Sequence, residues 1–420
     1  MIENIIVYED NISEGFAPLL HTRPVFELKV GMFSFLERIH LFFPKTKYCL
    51  WVRDYLRPAV SQRYPKYFIN TPNVGLHALI INGRAVITQE LVEMIEGLEE
   101  ENYLVVKDGK VVLFYLSGEL LAEFMKGVKQ TNFSSEEIIR FLRKKSNLKI
   151  INYSDIEVFE NIWSMVKDNG KILTADFVQL AMGGLLIGNI HPQAVITNGG
   201  DIYVGKNSKV GPFVHLDAAN GPIYIGENVE IKSHVLIEGP VSVDDNCVIY
   251  PGLIRKNTTI GENCRVGGEV EGSIFLANSN KYHAGFVGHS YLGEWVNLGA
   301  LTTTSDLKNN YGNVSLTVGN KRIDTQQQFL GSIIADHVKC GIGTLLNTGS
   351  IIGFGSNIVG AEEVFPKWIP AFSWGNISNL EKYEFSKFLL TVEKVYARRG
   401  KSLLMPEKSL LEYIYKLITK

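Results

Sequence analysis

The chain holds only four cysteines, Cys49, Cys247, Cys264 and Cys340, and no two of them form a CxxC pair. That scarcity excludes a disulfide-stapled framework and a zinc knuckle, and it fits a reducing compartment. Three of the four sit among aliphatic repeat positions, where a free thiol acts as a small hydrophobe. An excess of charge is lacking too: 42 basic against 44 acidic residues leave a formal net charge of −2. Neither a nucleic-acid footprint nor an acidic tail follows from such a balance. No stretch approaches the roughly 20 apolar residues of a membrane span. The opening MIENIIVYED has neither the basic start nor the apolar core of a signal peptide. The expected location is the cytoplasm, with no membrane and no nucleic acid as partner.

What is present is a period. Ile225, Ile231, Ile237, Val243 and Ile249 step by six without a break, and so do Ile334, Cys340, Leu346, Ile352 and Ile358. Shorter runs fill in at Val204, Val210 and Leu216, at Ile260 and Val266, and at Leu292 and Leu298. A helix repeats at 3.6 and a plain strand at 2, so a sustained step of six needs a different geometry. A triangular coil supplies it. Each face is a short strand with one aliphatic pointing inward, and a glycine beside it, as at Gly211, Gly226 and Gly299, helps the backbone turn. Stacked coils bury a continuous aliphatic column and satisfy one another's backbone groups. The expected fold is a left-handed parallel β-helix over residues 185–371.

Residues 1–150 lack the repeat and mix short apolar strands with helical stretches, which predicts an α/β domain. Ser134 and Ser135 before Glu136-Glu137 read as a capped helix start. A connector spans 151–184, and a helical tail over 372–420 is expected to pack against or cap the open end of the coils. Two stretches break the rhythm of six, 267–291 and 302–329. Excursions from a solenoid commonly carry its function.

The segment Gly293-Glu294-Trp295-Val296-Asn297-Leu298-Gly299-Ala300 resembles the G-D-x-V-N-I-G-A stretch of the bifunctional N-acetylglucosamine-1-phosphate uridyltransferase/glucosamine-1-phosphate acetyltransferase family. The resemblance covers roughly residues 240–365. It implies an acetyl-CoA-dependent transferase whose base lies fourteen residues before the asparagine, which here is His283. It also implies substrate contacts at Lys281, Asn297, Asn310 and Tyr311, contacts to coenzyme A at Ala300 and Gly360, and a homotrimer. The N-terminal segment Ala17-Pro18-Leu19-Leu20-His21-Thr22-Arg23-Pro24, with Val30-Gly31 and Leu36-Glu37-Arg38, resembles the opening of sugar nucleotidyltransferases. There the resemblance implies nucleotide contacts at Arg23 and Lys29, with Asp10 assisting a Mg2+ ion. The family's glycine-rich phosphate loop is absent, and residues 10–16 stand in its place.

The chemistry suits the assignment. Acyl transfer from a thioester to an amine needs a base, donors for the oxyanion and a groove for the pantetheine arm. An imidazole titrates near pH 6.5 and fits the first role. Lys281 is the group expected to hold a sugar phosphate. The first expectation is therefore an acyltransferase acting on an amino-sugar phosphate or nucleotide sugar, joined to a nucleotidyltransferase-like domain. A second is a sugar-1-phosphate nucleotidyltransferase whose β-helix serves assembly or regulation. A third is a metal enzyme of carbonic anhydrase type, with His283 and His289, joined by His337 or a neighbouring subunit, as zinc ligands, neutral imidazole being a common zinc ligand.

Overall fold

The computed structural model describes residues 2–11, 13–71, 75–99, 101–127, 134–144, 148–319, 321–360 and 364–419. Its contacts divide the chain into two units, one built from Met1–Leu28, Phe33–Asn161 and Leu404–Leu417, the other from Lys29–Met32, Ile162–Leu403 and Ile418–Lys420.

In the first unit seven strands form one mixed sheet. Their order is Phe68–Ile69, Lys47–Trp51, Asn4–Tyr8, His77–Asn82, Lys110–Ser117, Tyr103–Lys107 and Lys149–Asn152. Asn4–Tyr8 lies between two parallel neighbours and is buried along its whole length. That is why it reads as an unbroken apolar run and not as an alternation. The helix Ser135–Leu142 begins with the expected cap: Ser134 accepts from the Glu137 amide, and Glu137 accepts from the Ser134 amide. In the core on one face of the sheet Trp51 stacks on Phe124, and Phe114 meets Phe124 edge-on.

The second unit is a three-sided parallel β-helix. One inward column runs through Val210, Ile231, Ile249, Val266, Lys281, Leu298, Cys340 and Ile358, each aligned in register with the coil before it. A second column carries Ile225, Val243, Ile260, Phe275, Leu292 and Ile334. One corner is a ladder of left-handed residues, Asn207, Asn228, Asn246, Asn263 and Asn278, with φ between 54° and 63°. Asparagine tolerates that conformation because its short polar side chain bonds locally.

Several expectations change here. The stretch 267–291 stays in the stack. Its sides shorten from six residues to four (Val266 to Val270) and five (Val270 to Phe275), so the period fails while the column continues. Residues 302–329 do leave the coil. The chain departs after Thr303–Thr304, forms the antiparallel pair Ser315–Val318 and Lys321–Asp324, and rejoins at Ile333–Ile334.

The connector 151–184 divides. Its first two residues finish the strand Lys149–Asn152, and its helix Ile162–Leu180 belongs to the β-helix unit. There Asn169, fully buried, accepts from the Gly31 amide at 2.7 Å and donates to the Asn257 carbonyl at 2.9 Å and Thr259 Oγ1 at 3.0 Å. Gly170 follows because a Cβ at that place would fall 1.8 Å from Asn257 Oδ1. The tail 372–420 divides as well. In Phe385–Ala397, Phe388 meets Phe354 and Phe372 edge-on and Tyr396 stacks on Trp295 at 4.3 Å, whereas Met405–Ile418 falls almost wholly in the first unit, where Tyr413 stacks on Tyr55 at 4.9 Å. Among the described residues no helix is long and apolar enough to cross a membrane.

Candidate active site

The β-helix gathers three of the expected residues at one corner. His283 follows the strand Asn280–Lys281, Ala300 follows Asn297–Leu298, and Gly360 follows Asn357–Ile358, strands that stack in one sheet. The Leu301 amide donates to the Ala284 carbonyl at 2.8 Å and the Gly343 amide to the Ala300 carbonyl at 2.7 Å, which ties successive coils together there. His283 is exposed and its ring rests 4.4 Å from that of Tyr282. Leu301, Ile342 and Val359 are exposed along the same corner, at 57%, 70% and 44%. They form an apolar strip beside the histidine. Asn297 lies on the face leading to this corner, in register with Asn280, whose Nδ2 reaches Asn297 Oδ1 at 3.4 Å. Asn310 and Tyr311 are not brought to the corner by any coil; they form an exposed turn of the excursion, where Asn310 Oδ1 accepts from the Gly312 amide.

Lys281 departs most from expectation. Its neighbours in the column are aliphatic, its side chain points inward, and it is 2% exposed. Nζ donates to the carbonyls of Gly267 at 2.8 Å, His283 at 2.7 Å and Gly285 at 2.6 Å. Burial pushes this ammonium down to about 8, against a weaker opposing pull from Glu269. All three donors of the ammonium are thus engaged by backbone, so the sequence expectation of a phosphate contact does not match its place in the fold. The alternation of the strand carries the reason: Lys281 occupies the inward position that Val266 and Leu298 fill on either side.

His289 occupies the next corner, in a left-handed conformation at φ 43°. Its Nδ1 lies 2.8 Å from Asp306 Oδ2, and Phe329 packs 5.3 Å from its ring. Asp306 opens the excursion, and nothing in the sequence period marked it. His337 sits on a different corner, buried among Trp295, Phe354, Phe388 and Tyr396. The histidines expected for a zinc site, His283, His289 and His337, thus stand on different corners, and no cluster of three His, Cys, Asp or Glu side chains suited to a metal occurs among the described residues.

In the first unit the expected nucleotide site lies where parallel strands end, the usual place for a ligand in an open α/β sheet. Here those ends are filled by ion pairs. Both oxygens of Asp10 are taken by Arg84, at 2.9 Å from Nε and 2.6 Å from Nη2, and Asn82 donates at 3.1 Å. The two side chains are 2% and 1% exposed. Glu9 accepts from Arg53 and from the Val25 amide. A Mg2+ ion needs carboxylate oxygens that are open to it, and the Asp10 carboxylate does not fit. Arg23 is buried, and Lys29 belongs to the other unit, where its Nζ pairs with Asp244 at 2.7 Å. Residue 12 of the segment that replaces the phosphate loop lies outside the described residues.

Residues 5–183 match the family model of sugar nucleotidyl transferases. Over 322 residues the chain is 27% identical to the bifunctional protein GlmU of Methanococcus vannielii, covering 67% of this chain and 71% of that one. The chain is thus similar to a bifunctional protein over most of its length, and its family-model match is confined to the N-terminal part. Its likeness to a bifunctional sugar-1-phosphate nucleotidylyltransferase/acetyltransferase of Sulfurisphaera tokodaii is 35% over 136 residues, 32% of this chain and 34% of that one. With an acyl-[acyl-carrier-protein]–UDP-N-acetylglucosamine O-acyltransferase of Rickettsia canadensis it shares 46% identity over 63 residues, 15% of this chain and 22% of the other. The chain thus spans about a fifth to a third of the length of these last two relatives. The family-model match covers residues 5–183, and the parallel coils follow it in the chain.

Proposed function

We propose that the protein transfers an acyl group to an amino-sugar phosphate or nucleotide sugar, with acetyl-CoA as donor and His283 as base. The observation that carries this reading is the shared corner of His283, Ala300 and Gly360 beside the exposed strip of Leu301, Ile342 and Val359. A pantetheine arm is apolar along much of its length, and such a strip removes it from water. The exposed imidazole of His283 takes a proton from the attacking amine in its neutral form; the tetrahedral intermediate then expels the thiolate, which recovers a proton. Asn297, on the face leading to the corner, is placed to hold the acceptor. The working form is a cytoplasmic homotrimer, in which each corner faces a neighbouring copy.

A second reading makes the protein a sugar-1-phosphate nucleotidyltransferase, and the family match over residues 5–183 favours it. The self-paired charges at the strand ends weigh against it, since Mg2+ would need donors other than Asp10.

The test is direct. The full chain is incubated with acetyl-CoA and a panel of amino-sugar phosphates and nucleotide sugars while free thiol is followed. Acceptor-dependent thiol release is expected, and His283→Ala should lower turnover about 10²–10⁴-fold with little change in coenzyme A binding. Absence of release with every acceptor overturns the acyl-transfer reading.

A further inference from the structure

A histidine on a coil corner is only as well placed as the corner that carries it. The strand before His283 ends on Lys281, and the corner turns outward immediately after. Gly268, in a left-handed conformation on the coil below, and Gly285, at φ 125° on the same coil, make the turn compliant. Nothing apolar could hold such a loop of carbonyls. The three oxygens that converge here come from His283 itself, from Gly285 two residues on and from Gly267 on the coil beneath, and an aliphatic side chain at this level would offer none of them a donor.

We propose that Lys281 is a positioning residue for His283, an internal clamp that fixes the catalytic corner from inside the coil. This rests on the acyl-transfer reading with His283 as base. The clamp explains why a lysine stands in the aliphatic column at the level of that histidine. It also separates this residue from a substrate contact, because its ammonium faces the coil interior and its three protons are directed at backbone.

The proposal has a proton-linked signature. Lys281 titrates at about 8. Glu269, on the coil below, is the charged side chain that acts on it; His283 on its own coil and Tyr250 and Tyr282, with ring centroids 3.7 Å apart, are titratable neighbours, and Arg265 and Lys232 act in turn on Tyr250. Once the ammonium becomes an amine it has two donors for three carbonyls, and the corner loosens. Turnover should therefore fall through about pH 8.

The experiment measures kcat and KM for acetyl-CoA and for the amino-sugar phosphate acceptor in wild type, Lys281→Met and Lys281→Arg, with thermal melts of each. In Lys281→Met kcat is expected to drop on the order of 10²-fold, the scale of a small misplacement of a reacting group, while both KM values stay within about threefold. In Lys281→Arg, whose guanidinium keeps its charge, the fall through pH 8 should disappear. A loss confined to the acceptor KM overturns the clamp in favour of substrate binding, and unchanged kcat in a folded Lys281→Met overturns it outright. Should Lys281→Met fail to fold, the wild-type profile decides: a flat kcat from pH 7.5 to 9.5 rejects the clamp. Acyl transfer by the wild type with none of these effects sinks the clamp alone, whereas a wild type inactive toward every acceptor sinks the acyl-transfer reading beneath it.

Discussion

Two sites of buried charge, one in each unit of this chain, are built in opposite ways. In the first, Asp10 and Arg84 cancel each other at the ends of parallel strands, and Glu9 and Arg53 do the same beside them. In the second, Lys281 has no carboxylate partner within hydrogen-bonding reach among the described residues and is held by three backbone carbonyls beneath an exposed histidine. Paired charges close a site, because their hydrogen-bonding capacity is used within the protein. A charge that grips only backbone organises the loop above it and leaves the surface side chains open to substrate. The difference teaches where chemistry is to be sought in this protein.

The largest effect that would break this comparison lies at Asp10. Removing one partner of a buried ion pair leaves the other uncompensated, which costs about 3–5 kcal/mol. Asp10→Asn should destabilise the first unit on that scale in urea titrations followed by tryptophan fluorescence, since Trp51 belongs to its core. The double variant Asp10→Leu/Arg84→Met should recover much of the loss, because apolar replacements of a buried pair are often neutral. If Asp10→Asn proves harmless and abolishes nucleotide binding seen in the wild type by calorimetry, the carboxylate is functional, and the contrast between the units fails.

How much of this was legible beforehand follows from the kind of signal each feature leaves. Five aliphatics in unbroken steps of six specify a coil because every face needs one inward residue. The same rule hid the coils at 267–291, whose sides have four and five residues, and it hid the inward orientation of Lys281, since a lysine in such a pattern reads as exposed. Its position between Val266 and Leu298 in the stack was the available clue, and it appears only once the register is known. The corner of His283 was legible through the spacing to Asn297. Asp306 was not, because an excursion carries no period and its pairing with His289 spans 17 residues. The Asp10–Arg84 pair joins residues 74 apart, which no local pattern reveals.

A smaller effect sharpens the second half of the comparison. A lysine in an unfolded chain titrates near 10.4, whereas Lys281 in the folded protein titrates at about 8. Between those values the unfolded chain binds more protons, so stability rises with pH across that window and the gain is lost again as pH falls through 8. Lys281→Met removes the linkage and leaves every other titrating group in place. The difference in unfolding free energy between wild type and Lys281→Met should thus shift in favour of the wild type from pH 8 to 10, by at most roughly 3 kcal/mol. Parallel curves for the two proteins would mean that this ammonium is not set apart from solvent as the column requires.

The smallest effect concerns His289 and Asp306. This contact ties the start of the excursion to a coil corner, with the two side chains 24% and 16% exposed. At that exposure, screening by water reduces the ionic part, and the net contribution of one hydrogen bond is about 1 kcal/mol. Asp306→Asn keeps the size of the side chain and removes its charge, so global stability should fall by about 1 kcal/mol or less. The local consequence is larger in kind. The Leu330 amide, which donates to the Asp306 carbonyl at 2.9 Å, and the Gly331 amide, which donates to His289 at 2.9 Å, close the excursion at its base. Hydrogen exchange at both amides should quicken in Asp306→Asn, while exchange at the column residues Ile249 and Ile260 stays as in the wild type. Uniform acceleration across the coils would show that the pair supports the whole solenoid, and its role as a local anchor of the excursion would have to be abandoned.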